Sequence, residues 1–131
     1  MMLLDTPVLI WLVAEPKRLS QAAASSIGRA YGADGLGIAS ITLWELAMLF
    51  SKGHLQATGT TDSAIRLMVE RARVAIKGIT PGIAALATQF PTSYPADPAD
   101  RLIGATARAE GLTLVTRDRR IRESNLVSTV W

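Results

Sequence analysis

A chain of 131 residues, 49% of them hydrophobic, has the size of one domain and enough apolar side chain for a single buried core. Fourteen Lys plus Arg against eleven Asp plus Glu leave a formal charge of +3, which favours a polyanionic partner. The lack of cysteine excludes disulfides, thiolate metal sites and a cysteine nucleophile, and a single histidine, His54, excludes a zinc site built on several.

Met1 to Leu4 reads as a short strand ending at Asp5. Thr6-Pro7 then supplies a cap and a first-position proline for a helix over Val8 to Ala14. That apolar run is the longest in the chain and falls far short of the roughly 20 residues of a membrane span. With no signal-like N-terminus either, the expected location is the cytoplasm. Ser20 caps a second helix, Gln21 to about Tyr31, stopped by Gly32 and the Asp34-Gly35 turn before a strand over Leu36 to Ala39. Thr42 to Ser51 is a helix ending at Gly53, and Gly59-Thr60-Thr61 is a loop. Asp62 to Ile76 has the pattern of an amphipathic helix, with Ile65, Met68, Val69, Ala72 and Ile76 on its apolar face. Lys77 to Thr80 is expected to be a strand, Pro81 to Phe90 a helix and Pro91 to Pro95 a loop. Asp97-Pro98 opens a helix that Gly111 ends, Leu112 to Thr116 is a buried strand, and Val127 to Val130 closes the sheet. Strands alternating with helices imply a mainly parallel sheet of four or five strands with helices on both faces, a three-layer α/β/α fold.

Within that order, Asp5, Glu45, Asp100 and Asp118 each stand just past a strand or in the first turn of the following helix. The carboxyl ends of parallel strands share one edge, so these acids converge on a single crevice there. Crowded carboxylates raise one another's pKa unless a divalent cation neutralises them, which points to metal-dependent chemistry. Each acid also has a plainer reading. Asp5 is a candidate N-cap, Thr42-Leu43-Trp44-Glu45 fits a capping box, Asp97 caps the helix that carries Asp100, and Asp118 sits among the arginines 117, 119, 120 and 122. Ser40 is placed to bond a phosphate or a bound water, though a serine in a strand-to-helix turn is ordinary.

Taken together, Leu3-Leu4-Asp5-Thr6, Trp44-Glu45-Leu46, the run from Asp97-Pro98-Ala99-Asp100 through Arg101-Leu102-Ile103-Gly104-Ala105-Thr106-Ala107, and Leu114-Val115-Thr116-Arg117-Asp118 resemble the PIN-domain nucleases, in particular the toxin subunits of VapBC toxin–antitoxin pairs. The resemblance implies that Asp5, Glu45, Asp100 and Asp118 match the family's acidic quartet, with Thr116 matching the hydroxyl residue two before the last acid. It also implies Mg²⁺ or Mn²⁺, cleavage of RNA, a homodimer and an antitoxin partner. The chain departs from the pattern at Gly104, where alanine is frequent, and in lacking a histidine shortly before Asp97.

On this reading Asp5 and Asp100 bind metal directly, Glu45 binds metal or orients the attacking water, and Asp118 serves a second ion or acts through water. Thr6, Ser40, Asp97 and Thr116 support them, and Arg101, Arg117, Arg119, Arg120 and Arg122 contact RNA phosphates. Two rivals remain. A catalytically inactive PIN-like module would bind RNA or protein without needing the acids. A phosphotransferase using Asp5 as nucleophile lacks both a second acid two residues on and a glycine-rich phosphate loop. Trp11 and Trp44 are expected in the core or at a dimer contact, Trp131 docked on the sheet or free, and His54 on the surface.

Overall fold

Side chains alternate across a strand, so adjacent Leu3 and Leu4 face opposite sides of the sheet, and the core divides accordingly. The computed structural model describes residues 1–131 and contains β1 (Met2–Leu4), α1 (Thr6–Ala14), α2 (Gln21–Tyr31), β2 (Leu36–Ala39), α3 (Ile41–Ser51), α4 (Thr61–Ala72), β3 (Val74–Lys77), α5 (Pro81–Gln89), α6 (Pro98–Glu110), β4 (Thr113–Val115), α7 (Arg119–Glu123) and β5 (Thr129–Val130). Leu4, Ile38 and Val115 pack with Val8, Leu9, Ile27, Leu46 and Met68 under α1 to α4. Leu3, Ala39 and Leu114 pack with Ile83, Ile103 and Ile121 under α5 to α7. The result is the expected three-layer arrangement. No helix is long and apolar enough to cross a membrane.

All five strands are parallel, in the order β3-β2-β1-β4-β5. The chain leaves β1 toward β2 and β3 on one side and later returns to β4 and β5 on the other. The order therefore reverses between β1 and β4, and a crevice opens beyond their carboxyl ends. Asp5 N–H donates to the Val115 carbonyl at 3.0 Å, locking the end of β1 to the end of β4.

Several boundaries follow local chemistry. Ser20 Oγ accepts from Ala23 N–H, Thr80 Oγ1 from Ile83 N–H and Asp97 Oδ2 from Asp100 N–H, each capping its helix, and Gly111 ends α6 at φ 65°. Two expectations are corrected and one short element is added. The cap of α1 is Asp5, whose Oδ1 accepts from Thr6 N–H, and Thr6 is already helical. The amphipathic helix stops at Ala72 because Arg73 turns left-handed at φ 51°, so Val74 to Lys77 is the edge strand and half-exposed Ile76 belongs to it. The basic turn after β4 is itself a short helix, α7, capped by Asp118.

Candidate active site

The crevice at the switch point is a cleft of about 390 Å³ lined by Asp5, Pro7, Trp11, Glu45, Asp100, Arg117 and Asp118. Four acids far apart in the chain thus meet where β1, α3, α6 and the β4–α7 turn come together.

Asp5 is the most deeply placed, with 6% of its surface exposed. Its Oδ1 is fixed by Thr6 N–H at 3.0 Å and its Oδ2 by the Thr116 hydroxyl at 2.7 Å. Thr116 Oγ1 also accepts from Asp118 N–H at 3.1 Å, so one fully buried threonine sets both acids. The Asp118 carboxylate accepts from Arg120 N–H at 2.9 Å and Ile121 N–H at 3.3 Å, so this residue caps α7 while lining the cleft.

Glu45 is not part of a capping box. Thr42 lies inside α3, fully buried, and no side chain caps the helix. Glu45 Oε1 instead accepts from the Thr6 hydroxyl at 2.5 Å, and Thr6 Oγ1 lies 2.9 Å from Thr42 Oγ1. Because Thr6 gives its single proton to Glu45, Thr42 is the donor in the second bond. The carboxylate is therefore aimed into the cleft by a relay across two helices. Thr42 was readable only as a cap, because the Thr-x-x-Glu spacing gives no hint of a partner 36 residues earlier.

The electrostatics express the crowding. Burial holds the Asp5 carboxyl above its usual range, against the bonds from Thr116 and Thr6, and the charge of Asp118 adds to the rise. Glu45 is likewise raised by burial, opposed by Thr6 and reinforced by Asp5 and Asp97. Asp100 is pushed up to about 7, first by burial and then by Asp5, Asp97, Asp118 and Glu45. Its place in the first turn of α6, where the helix dipole favours a carboxylate, does not offset that.

This has a consequence for stability. In chelator, Asp100 contributes no penalty below its unfolded value near 3.8; the penalty grows as pH rises and is complete above about 7. Asp100 keeps part of its surface in water, so screening limits the loss to roughly 1–2 kcal/mol. Thermal unfolding in chelator should give a higher Tm at pH 5 than at pH 7.5, with a smaller difference in Asp100→Asn. An unchanged pH dependence in that variant would show that the charges are not coupled as described.

The remaining sequence candidates separate. Asp97 is the cap of α6, and its charge reaches Asp100 and Glu45. Ser40 stands at the start of α3 without a side-chain cap bond and does not line the cleft. Arg117 lines it; Arg119 and Arg122 line a second cavity, and Arg120 is exposed on α7. Arg101 is a correction. Its guanidinium donates to the carbonyls of Phe90 at 2.8 Å, Pro91 at 3.1 Å, Tyr94 at 3.4 Å and Ala87 at 3.5 Å, which commits both terminal nitrogens to the chain's own backbone. Arg101→Ala should lower stability by about 2 kcal/mol by orphaning these carbonyls, and leave the salt dependence of RNA binding unchanged. Denaturant unfolding and a salt titration would check both. Trp11, expected in the core or at a dimer contact, is mostly buried and forms a wall of the cleft.

A parallel five-stranded sheet in this order, with acids from four segments at its switch point, is the PIN architecture. Residues 2–125 match the family model of the PIN domain, and the chain belongs to the PIN-domain family. It is similar to Ribonuclease VapC22 of Mycobacterium tuberculosis, with 46% identity over 131 residues covering 98% of this chain and 97% of that protein. The fold is also similar to a chain of VapBC2 from Rickettsia felis, solved bound to a DNA fragment from their promoter, with TM-score 0.73, 16% identity and coverage of 98% and 96%. VapBC-5 from Mycobacterium tuberculosis, a member of the VapBC family of toxin-antitoxin systems, gives TM-score 0.61 at 19% identity, covering 98% and 95%.

Proposed function

We propose that the chain is a single PIN domain acting as a divalent-metal-dependent endoribonuclease, the toxin of a toxin–antitoxin pair. The observation that carries this is the convergence of Asp5, Glu45, Asp100 and Asp118 on one cleft. The likeness to Ribonuclease VapC22 along nearly the whole chain supports the substrate. A catalytically inactive binding module is the weaker reading, because buried, mutually repelling acids cost stability and oppose phosphate binding unless a cation is held there.

The donors are hard oxygens, as Mg²⁺ or Mn²⁺ requires. No three of the acids stand close enough together to clasp an ion directly. An ion there would keep several waters, as Mg²⁺ usually does. Asp5 and Asp100 would be its chief holders, and it would supply positive charge beside the scissile phosphate and the attacking water.

The chain's own groups do the rest. Glu45, raised by burial and aimed by Thr6, takes the proton from the attacking water. Thr116 keeps Asp5 and Asp118 in register, and Arg117 at the rim holds a neighbouring phosphate.

The partners on this reading are RNA, a second copy of the chain and a protein antitoxin, and the place of action is the cytoplasm. Structures of VapBC pairs sharing the fold support the antitoxin. The test is incubation of purified protein with total RNA in chelator, then with Mg²⁺ or Mn²⁺, with mapping of the cut ends. Discrete metal-dependent cuts are expected; intact RNA under every condition overturns the proposal.

A further inference from the structure

The acidic cleft accounts for Trp11 and Arg117 and leaves a second, larger cavity unexplained. This cavity, about 480 Å³, is lined by Arg119, Arg122, Glu123, Thr129, Val130 and Trp131. The two are neighbours. Trp131 packs on Trp11 with ring centroids 5.7 Å apart, tilted by 58°, and Trp11 is a wall of the acidic cleft. Two arginines stand over Trp11, with the Arg18 guanidinium 4.5 Å and that of Arg117 5.9 Å from its ring.

The chemistry of the second cavity differs from that of the first. Arg119 is held by Glu123 at 2.7 Å, but Arg122 has no carboxylate within ion-pair distance. Trp131 is partly exposed and borders the same space. A guanidinium without a carboxylate partner beside a partly exposed indole suits one unit of a single-stranded nucleic acid: the base stacks on the aromatic ring while the cation holds its phosphate. An apolar or acidic ligand would leave either the arginine or the ring unused.

We infer that the cavity between α7, β5 and Trp131 is a nucleotide subsite, in which a base of single-stranded RNA stacks on Trp131 and its phosphate is held by Arg122. This rests on the ribonuclease reading and adds to it how the strand lies: across the Trp11–Trp131 pair, from the acidic cleft toward the C-terminal edge of the sheet. It also makes unpaired RNA the substrate, since a base in a duplex has no free face to offer.

The test uses the full chain in an Asp5→Asn background, so that RNA stays intact, and follows fluorescence anisotropy of a labelled oligouridylate of about a dozen nucleotides. A strand of equal length with abasic residues carries the same phosphates without bases. Trp131→Leu keeps apolar packing against Trp11 and removes the stacking face. It should weaken oligouridylate binding about 10-fold and leave the abasic strand unaffected, while Trp131→Phe recovers most of the loss. Arg122→Gln should weaken both strands and lower the salt slope by about one. Equal weakening of the two strands by Trp131→Leu, or wild-type binding in both variants, overturns the subsite. Variants that bind RNA normally but lose a co-expressed antitoxin would make the cavity a protein-docking surface and overturn it too. Failure of the wild-type chain to cut total RNA with any divalent cation would instead remove the nuclease reading itself.

Discussion

Asp5→Asn and Asp100→Asn should each lower RNA cleavage by roughly 10³-fold while leaving the protein folded. The two halves of this result have one origin. An amide has the size of the carboxylate and keeps the cap on α1, since Asn Oδ1 still accepts from Thr6 N–H. Opposite the amide nitrogen, Thr116 Oγ1 accepts through its second lone pair beside the bond from Asp118 N–H, giving up only the bond its own proton made. What disappears is one negative charge from a cluster in which burial and neighbouring acids already hold Asp5, Glu45 and Asp100 above their ordinary range. In chelator the variants should therefore be as stable as the wild-type chain at neutral pH, or more so. They should also lose most of the Tm gain that Mg²⁺ gives the wild type, because a ligand stabilises only the state that binds it. Rates on a defined RNA, paired with thermal scans in chelator and in Mg²⁺, measure both. Inactivity accompanied by unfolding would assign Asp5 a structural role only.

Gly104→Ala should cost about 3 kcal/mol, although alanine is ordinarily the better helix residue. Gly104 lies mid-helix in α6, where Phe90 and Tyr94 press against its backbone. An added methyl would overlap the Tyr94 hydroxyl and come within 2.9 Å of its Cζ and 3.1 Å of Phe90. Tyr94 cannot swing aside. It is fully buried, its ring lies 4.6 Å from that of Phe90, and its hydroxyl donates to the Asp100 carbonyl at 3.3 Å. The glycine that departs from the family pattern is thus matched to a tyrosine that fills the methyl's place. Tyr94→Leu shortens the side chain, so the cost of Gly104→Ala should shrink in that background. A double-mutant cycle by denaturant unfolding should give a coupling of at least about 1 kcal/mol. Additive effects would mean the two do not share the space. Because Tyr94 touches the turn that carries Asp100, Gly104→Ala should also reduce cleavage.

How much of this was legible from the sequence depended on whether the cause was local. Ser20, Asp97 and Gly111 act within one turn of their own positions, and their helix ends fell where the residues put them. The alternation of strands and helices was equally plain, and with it the edge of the sheet to which the four acids belong. What escaped was set by distant parts of the chain. Ile76 continued the helical spacing of Ile65, Met68 and Ala72, and nothing about Arg73 announces the left-handed turn that ends α4. Thr42-Leu43-Trp44-Glu45 has the spacing of a capping box, but Thr6 on another helix claims Glu45. Arg101 looked free for phosphate until the loop from Phe90 to Tyr94 folded its carbonyls onto it. Trp11 and Trp131, 120 positions apart, meet only once β5 has joined the sheet.

The most direct measurement is anomalous scattering from crystals of the wild-type chain soaked in Mn²⁺ at a concentration that supports RNA cleavage. One or two manganese peaks should lie in the cleft between the carboxylates of Asp5 and Asp100, with Glu45 and Asp118 nearby or reaching them through water. Peaks confined to other surfaces, or a cleft without manganese while cleavage proceeds, would contradict a metal-dependent site built from these four acids.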